Sequence, residues 1–242
     1  MSRDLDGVDD VITAGTVSPP TSSYSCLMKV RPDSVASTDL FFCWGDRTPL
    51  DATGDYFNQF FILNTDIFFR IFETSVLGDF IGRIATAGMS TNGIWYHLAG
   101  TWDGGTTSAA CKIYINGIQE DDANNESGTV TAANANSSLR IIGAQQSDNG
   151  SGYDNFYDGQ MSYISLFNRN LSINEIRQDM FYPGSIRKGL MGFWPLFGSA
   201  SPEPDLSGNK NNGTVTGAIK GTSDPPINGL FQVKRPELVR SF

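Results

Sequence analysis

One histidine, His97, stands in the chain, so any imidazole-based proton transfer or metal ligation would have to pass through it. It lies mid-strand in Trp95-Tyr96-His97-Leu98-Ala99-Gly100-Thr101, which reads as a packed, hydrogen-bonded residue. No Gly-x-Ser-x-Gly elbow offers a nucleophile for a Ser-His-Asp arrangement. Carboxylate pairs are equally unpromising: Asp4-Leu5-Asp6 alternates without a Glu, and Glu120-Asp121-Asp122 falls at a turn. Glu175 and Asp179 share a helix face at i,i+4, where a solvated surface pair is expected. Cys26, Cys43 and Cys111 are odd in number and far apart, as buried free thiols would be. The reading is therefore of a protein that is not an enzyme.

Two loops carry binding chemistry. Asp205-Leu206-Ser207-Gly208-Asn209 offers a carboxylate (Asp205), an amide (Asn209) and turn carbonyls to a hard cation, with Asp6, Asp9 and Asp10 joining if the chain ends meet. Calcium is the cofactor this set would take; a loop held by Asx-turns is the alternative. Gln145–Asp158 offers Asn149 and Asn155 to sugar hydroxyls and Tyr153 and Phe156 for stacking, against the alternative of ordinary loop chemistry. Trp44, Trp95, Trp102 and Trp194 sit in strand-like contexts and read as core.

The elements that must position these residues are short strands. Trp95–Thr101 and Cys111–Asn116 alternate with period two, broken at Asp103-Gly104-Gly105 and closed by Asn116-Gly117, a strong antiparallel hairpin signal. Further strands are expected over Asp4–Ile12, Ser23–Arg31, Thr38–Gly45, Phe57–Leu63, Ile67–Phe72, Phe80–Met89, Thr129–Asn134, Ser138–Ile142, Gly159–Asn168, Gly189–Leu196 and Gly213–Ala218. One short helix is expected near 172–181, opened by the capping box Ser172/Glu175 and stopped by Pro183-Gly184. About a dozen short strands and one helix imply an all-β, two-sheet antiparallel sandwich.

The 242 residues carry a net charge of −9, which argues against a nucleic-acid partner. No long apolar run exists to span a membrane, and the acidic start MSRDLDGVDD gives no expectation of a secretory signal. Residues 1–220 read as one domain and 221–242 as an extended tail, with Pro225-Pro226, Pro236 and the basic Lys234, Arg235 and Arg240.

Three segments resemble the laminin-G-like (concanavalin A-like lectin/glucanase) jelly-roll family: Trp95–Gly117, the stretch from Leu139 through Asn168-Arg169-Asn170-Leu171-Ser172 to Ile176, and Leu5-Asp6-Gly7-Val8-Asp9-Asp10-Val11. Residues Gly189–Leu196 and Asp205–Thr214 look like that family's usual beginning, yet stand at the end. The resemblance thus implies a jelly roll in circularly permuted order, with strands of 189–218 completing the same sandwich. Retaining glycosidases of that fold carry Glu-x-Asp-x-Glu or Glu-x-Asp-x-x-Glu on one strand; neither occurs here. The late placement implies a phage or virion structural protein: a capsid decoration (cement) or fibre component at the virion surface. Its partners would be neighbouring virion subunits or further copies of itself, and cell-surface glycans used in viral attachment. The alternative is a carbohydrate-binding lectin module using calcium.

Overall fold

The computed structural model describes residues 2–36, 38–45, 56–73, 78–136, 138–147, 152–198 and 201–225. In chain order the strands begin β1 (Arg3–Asp6), β2 (Val11–Val17), β3 (Tyr24–Pro32), β4 (Thr38–Trp44), β5 (Asn58–Leu63) and β6 (Asp66–Phe72). There follow β7 (Phe80–Ala85), β8 (Tyr96–Trp102), β9 (Cys111–Ile115), β10 (Ile118–Gln119), β11 (Ala123–Asn124) and β12 (Ser138–Ile142). The series closes with β13 (Gln145–Gln146), β14 (Tyr153–Asp154), β15 (Asp158–Phe167), helix α1 (Ile173–Phe181), β16 (Leu190–Trp194), β17 (Thr214–Thr216) and β18 (Ile219–Lys220).

Two antiparallel sheets face each other. The first runs β10-β9-β8-β3-β15-β1-β18, with β16 also on β15; the second runs β11-β7-β6-β5-β4-β12-β2-β17. Between them lies a core rich in rings, including Tyr24, Phe41, Trp44, Phe57, Phe60, Phe69, Trp102, Tyr157 and Trp194. Tyr24, Trp44 and Phe57 meet edge-to-face at 5.2–5.9 Å, the arrangement ring quadrupoles favour. Gly100 faces this core because nothing larger fits: a Cβ there would stand 2.2 Å from the Phe69 ring. The architecture is the two-sheet sandwich expected from the strand pattern and the jelly roll implied by the family resemblance. Cys26, Cys43 and Cys111 are buried free thiols, and three of the four tryptophans (Trp44, Trp102 and Trp194) are buried.

The hairpin β8–β9 pairs Leu98 with Ile115 and Trp102 with Cys111. The turn that follows, joining β9 to β10, puts Asn116 and Gly117 at φ 51° and 74°, the left-handed pair that a two-residue hairpin turn requires. The Asn116 side chain closes it by accepting the His97 N–H at 2.9 Å.

Three expected strands differ in the structure. Asp4–Ile12 is not one strand: the chain turns at Gly7 (φ 73°), so β1 enters one sheet and β2 the other. Thr129–Asn134 forms no strand, only a bridge of Ala133 to Glu73. The Glu73 carboxylate takes the N–H groups of Thr131 and Ala132 that a ladder would need. The Phe80–Met89 strand stops at Ala85, before a left-handed Ala87 (φ 51°).

The first and last described strands lie side by side. β1 and β16 occupy the same edge of β15, at Asp158–Met161 and Ile164–Phe167 respectively. β17 pairs with β2 and β18 with β1. Arg3 Nε and Nη2 both reach Glu203 Oε2 at 2.9 Å with neither side chain exposed. Of residues 221–242, Gly221 donates to the Ser2 carbonyl and Ser223 to Gln160; residues 226–242 lie outside the described residues.

Helix α1 opens as expected, with Ser172 Oγ accepting the Glu175 N–H and Glu175 accepting the Ser172 N–H. Arg169 grips the Glu175 carboxylate and, with the Ser172 bonds, holds its pKa down to about 2. The helix lays Ile176 and Leu171 on Leu27, Ala99 and Phe167, the outer face of the first sheet. Asp179 is not solvated: it is fully buried, accepting the Tyr163 hydroxyl at 2.7 Å with His97 Nε2 3.9 Å away. Below it His97, Lys29 and Tyr163 form one row across β8, β3 and β15. The i,i+4 spacing is right, but the helix turns Asp179 toward the sheet because Ile176 and Met180 flank it there.

Two outcomes test these contacts. Glu203→Ala should cost about 3–5 kcal/mol in urea unfolding by stranding Arg3, with R3M/E203L recovering most of it. The second concerns acid. Burial holds the His97 pKa below its ordinary 6.5, against the pull of Asp179. The unfolded chain then binds a proton before the native one does, so stability falls as pH drops below about 6.5. His97→Gln should flatten that slope between pH 7 and pH 5; an unchanged slope would assign the acid sensitivity to other groups.

Candidate functional site

The second sheet's outer face is unusual for an antiparallel sandwich, where the solvent side of a sheet is ordinarily polar. Strands β5 and β6 are apolar on both faces: Phe60, Ile62, Ile67, Phe69 and Ile71 point into the core, while Phe61 and Phe68 are on the outer face but buried, 5% and 8% exposed. Phe61 and Phe68 are register partners, stacked at 4.8 Å with an interplanar angle of 7°. Leu40, Leu63 and Ile84 extend this row. A second aromatic line runs Tyr56–Phe72–Phe80, with centroids 5.6 and 5.5 Å apart.

Between these lines runs a more polar row. Gly82, Arg70, Gln59, Cys43 and Ile141 stand opposite one another across β7, β6, β5, β4 and β12. Gln59 Nε2 donates to Gln145 Oε1 at 3.0 Å, tying this row to the β13–β14 hairpin. Arg70 lies over Phe61, Phe68 and Phe80, and burial lowers its pKa to about 10.

The expected glycan-contacting segment folds onto this same face. Tyr153 and Phe156 pack half-buried against Val11, Cys43, Tyr56, Ile141 and Ala144. Asn155 takes a left-handed φ of 50°, and its carbonyl accepts the Leu40 N–H at 3.0 Å. The Tyr56 hydroxyl donates to the Gln146 carbonyl. Asn149 lies outside the described residues.

The expected cation ligands are placed apart. Asp205 Oδ1 accepts the N–H groups of Phe193 and Ser207, and Oδ2 that of Asn211. Burial would raise its pKa, but these bonds outweigh it and hold the pKa low. Asn209 Nδ2 donates to the Met191 carbonyl. Both residues are therefore engaged in closing the 201–213 loop. Asp205 is anchored at Phe193, opposite Ser165, whereas Asp6 stands opposite Asp158, roughly 20 Å further along β15 by strand rise.

Asp6, Asp9 and Asp10 do converge, their oxygens within 4.8 Å of one another. They line a cleft of about 480 Å³ with Asp4, Asp33 and Asp158. Burial, and then the neighbouring carboxylates, raise the pKa values of Asp4, Asp10 and Asp158. The cluster has turn work to do: Asp6 Oδ1 accepts the Val8 N–H and Asp10 Oδ2 the Asp6 N–H, at 2.9 Å each. Its carboxylate oxygens are the hard donors calcium takes, but the Asp205–Asn209 part of the expected set is absent from it.

Sequence reasoning passed over Phe61, Phe68, Gln59 and Arg70, reading their segments only as a hairpin. The available signal was the doubling of the aromatics: Phe60-Phe61 and Phe68-Phe69 break the in-out alternation of a one-sided strand.

Comparison with solved structures supports the fold. A Bacteroides ovatus ATCC 8483 protein provisionally described as carbohydrate-binding superposes with a TM-score of 0.64 at 17% identity, over 94% of this chain and 61% of its own. The heptameric SAP-like pentraxin of Limulus polyphemus gives 0.51 at 13%, over 90% and 94%. The NanB sialidase of Streptococcus pneumoniae gives 0.51 at 16%, over 82% of this chain but only 30% of the sialidase. The chain thus spans about three fifths of the Bacteroides protein and under a third of the sialidase. No curated protein sequence matches it significantly. Among the described residues no helix is long and apolar enough to cross a membrane. The sequence model of the concanavalin A-like lectin/glucanases superfamily matches residues 6–177 of this sandwich, and the chain belongs to that superfamily.

Proposed function

We propose that this chain is a non-catalytic glycan-binding module, holding its ligand on the outer face of β4–β7 beside the Gln145–Tyr157 segment. One observation carries the reading: an outward sheet face that combines the half-buried rings of Phe72, Phe80, Tyr153 and Phe156 with the Gln59 and Gln145 amides. Sugars present apolar C–H faces and hydroxyl rims, and a surface that serves both needs flat rings with a few placed hydrogen-bonding groups. The provisional carbohydrate-binding description of the Bacteroides protein supports the same reading.

The sugar-facing groups are rings, amides and a guanidinium, so the proposed binding needs no cation, and the calcium expectation becomes a control. Glycan-array binding should persist in EDTA. Tyr153→Ala and Gln145→Ala should each weaken it about tenfold, roughly 1.4 kcal/mol, with melting temperatures near that of the unaltered chain. Loss of binding on chelation, or indifference to both substitutions, would move the site elsewhere.

A second reading, a self-associating subunit at a virion surface, is favoured by apolar exposure where the first and last described strands meet. Val8 is 69% and Ile219 65% exposed, and Ile219 lies on the short edge strand β18. A sheet edge of this kind is open to pairing with a neighbouring subunit. Sedimentation should then show oligomers that Ile219→Asp returns to monomer; a monomer at every concentration counts against this reading.

A further inference from the structure

Arg70 is a half-buried cation whose terminal nitrogens are uncommitted. Its guanidinium carbon lies 4.7 Å from the Phe61 ring centroid, 5.5 Å from Phe68 and 4.4 Å from Phe80. Nε donates to Asn125 Oδ1 at 2.6 Å. Of five N–H donors, that bond uses one. Among the described residues Nη1 and Nη2 meet no acceptor, and no carboxylate pairs with the group. Neither nitrogen is sealed from solvent.

The surroundings fix the fork in place. Gly82 is the cross-strand partner of Arg70, and a Cβ there would stand 3.2 Å from Arg70 Cγ and 2.3 Å from the Phe69 carbonyl oxygen. Three rings and one amide hold the guanidinium plane, so little side-chain entropy is lost when a ligand arrives. Burial lowers the Arg70 pKa to about 10, which leaves it charged at neutral pH and short of a counter-ion. Two parallel N–H groups in a low-dielectric setting match a carboxylate in bidentate geometry. The chain as a whole carries −9 and does not draw anions non-specifically, so any preference for them must be local.

We propose that Arg70 makes the outer face of this sheet selective for sugars bearing a carboxylate, uronic or sialic acids as a chemical class, over their neutral counterparts. This rests on the glycan-binding reading, since Gln59, next to Arg70 in the same row, and Gln145 supply the hydroxyl contacts. The competing role is purely structural, an arginine stem covering apolar surface.

Calorimetry on the full chain with matched probes separates the two: galacturonate against galactose oligomers of equal length, and sialyllactose against lactose. The acidic member of at least one pair should bind ten times more tightly or better, and lose that advantage in high salt. Arg70→Met, which keeps an apolar stem over the rings, should abolish the preference. Arg70→Lys, which keeps the charge without the fork, should retain part of it. Melting curves of both variants confirm that the sheet is intact. Equal binding of acidic and neutral members, or a preference surviving in Arg70→Met, overturns the inference and leaves the glycan reading standing. Binding of neither member overturns both. Arg70-dependent binding of an aspartate-rich peptide without any acidic sugar would also overturn it, assigning the guanidinium to a protein partner.

Discussion

Strand β15 is hydrogen-bonded along both edges, and one edge is filled by two strands from distant parts of the chain, β1 and β16. β3 takes one side; β1 and β16 share the other, end to end. Residues almost two hundred apart in sequence must meet before that edge closes, and the buried Arg3–Glu203 pair sits where they do. An unmatched charge there would cost several kcal/mol, so the contact specifies partner and register together. The rest follows: with β1 and β16 placed, β17 and β18 extend the two sheets beside β2 and β1, and Trp194 and Leu196 complete the core.

Much of this was legible where local chemistry and tertiary need agree. Asn116-Gly117 is a turn because its two left-handed residues are favourable anywhere, and the Ser172/Glu175 box starts a helix whatever that helix packs on. Legibility failed where a distant group intervened. The 129–134 segment has strand composition, but Glu73 captures its backbone donors. Asp179 has the spacing of a surface acid and the fate of a buried one, since the sheet below supplies the Tyr163 hydroxyl. Asp205 and Asp6 are both turn acids, and nothing local in either segment tells that β15 holds them at opposite ends.

The outer face of β4–β7 failed to be read for a different reason. Alternation identifies a strand by contrasting its two sides, and β5 and β6 offer no contrast, with Phe60 and Phe69 inward and Phe61 and Phe68 outward. Such a pattern is what a strand buried on both sides looks like. Here both sides are indeed buried: the partner sheet covers one, and on the other Phe61 and Phe68 are only 5% and 8% exposed, with Arg70 lying over them.

The outer faces of the two sheets are covered by different means. The outer face of the first sheet is sealed by α1, through Leu171, Ile176 and Ile186 against Leu27, Ala99 and Phe167. Its polar row, His97, Lys29 and Tyr163, is closed over by Asp179 and lies beyond the reach of any ligand. No described helix covers the second sheet in the same way. On the second sheet Phe61 and Phe68 are buried, and only the half-buried rings of Phe72, Phe80, Tyr153 and Phe156 keep contact with water, at about 25 cal/mol per Å². The acidic cleft at the β1–β2 corner concentrates like charges whose bonds are spent on holding a turn, whereas the aromatic face concentrates apolar area around one uncommitted cation. Of the two, the aromatic face is the one whose guanidinium, at Arg70, has terminal nitrogens that meet no acceptor among the described residues.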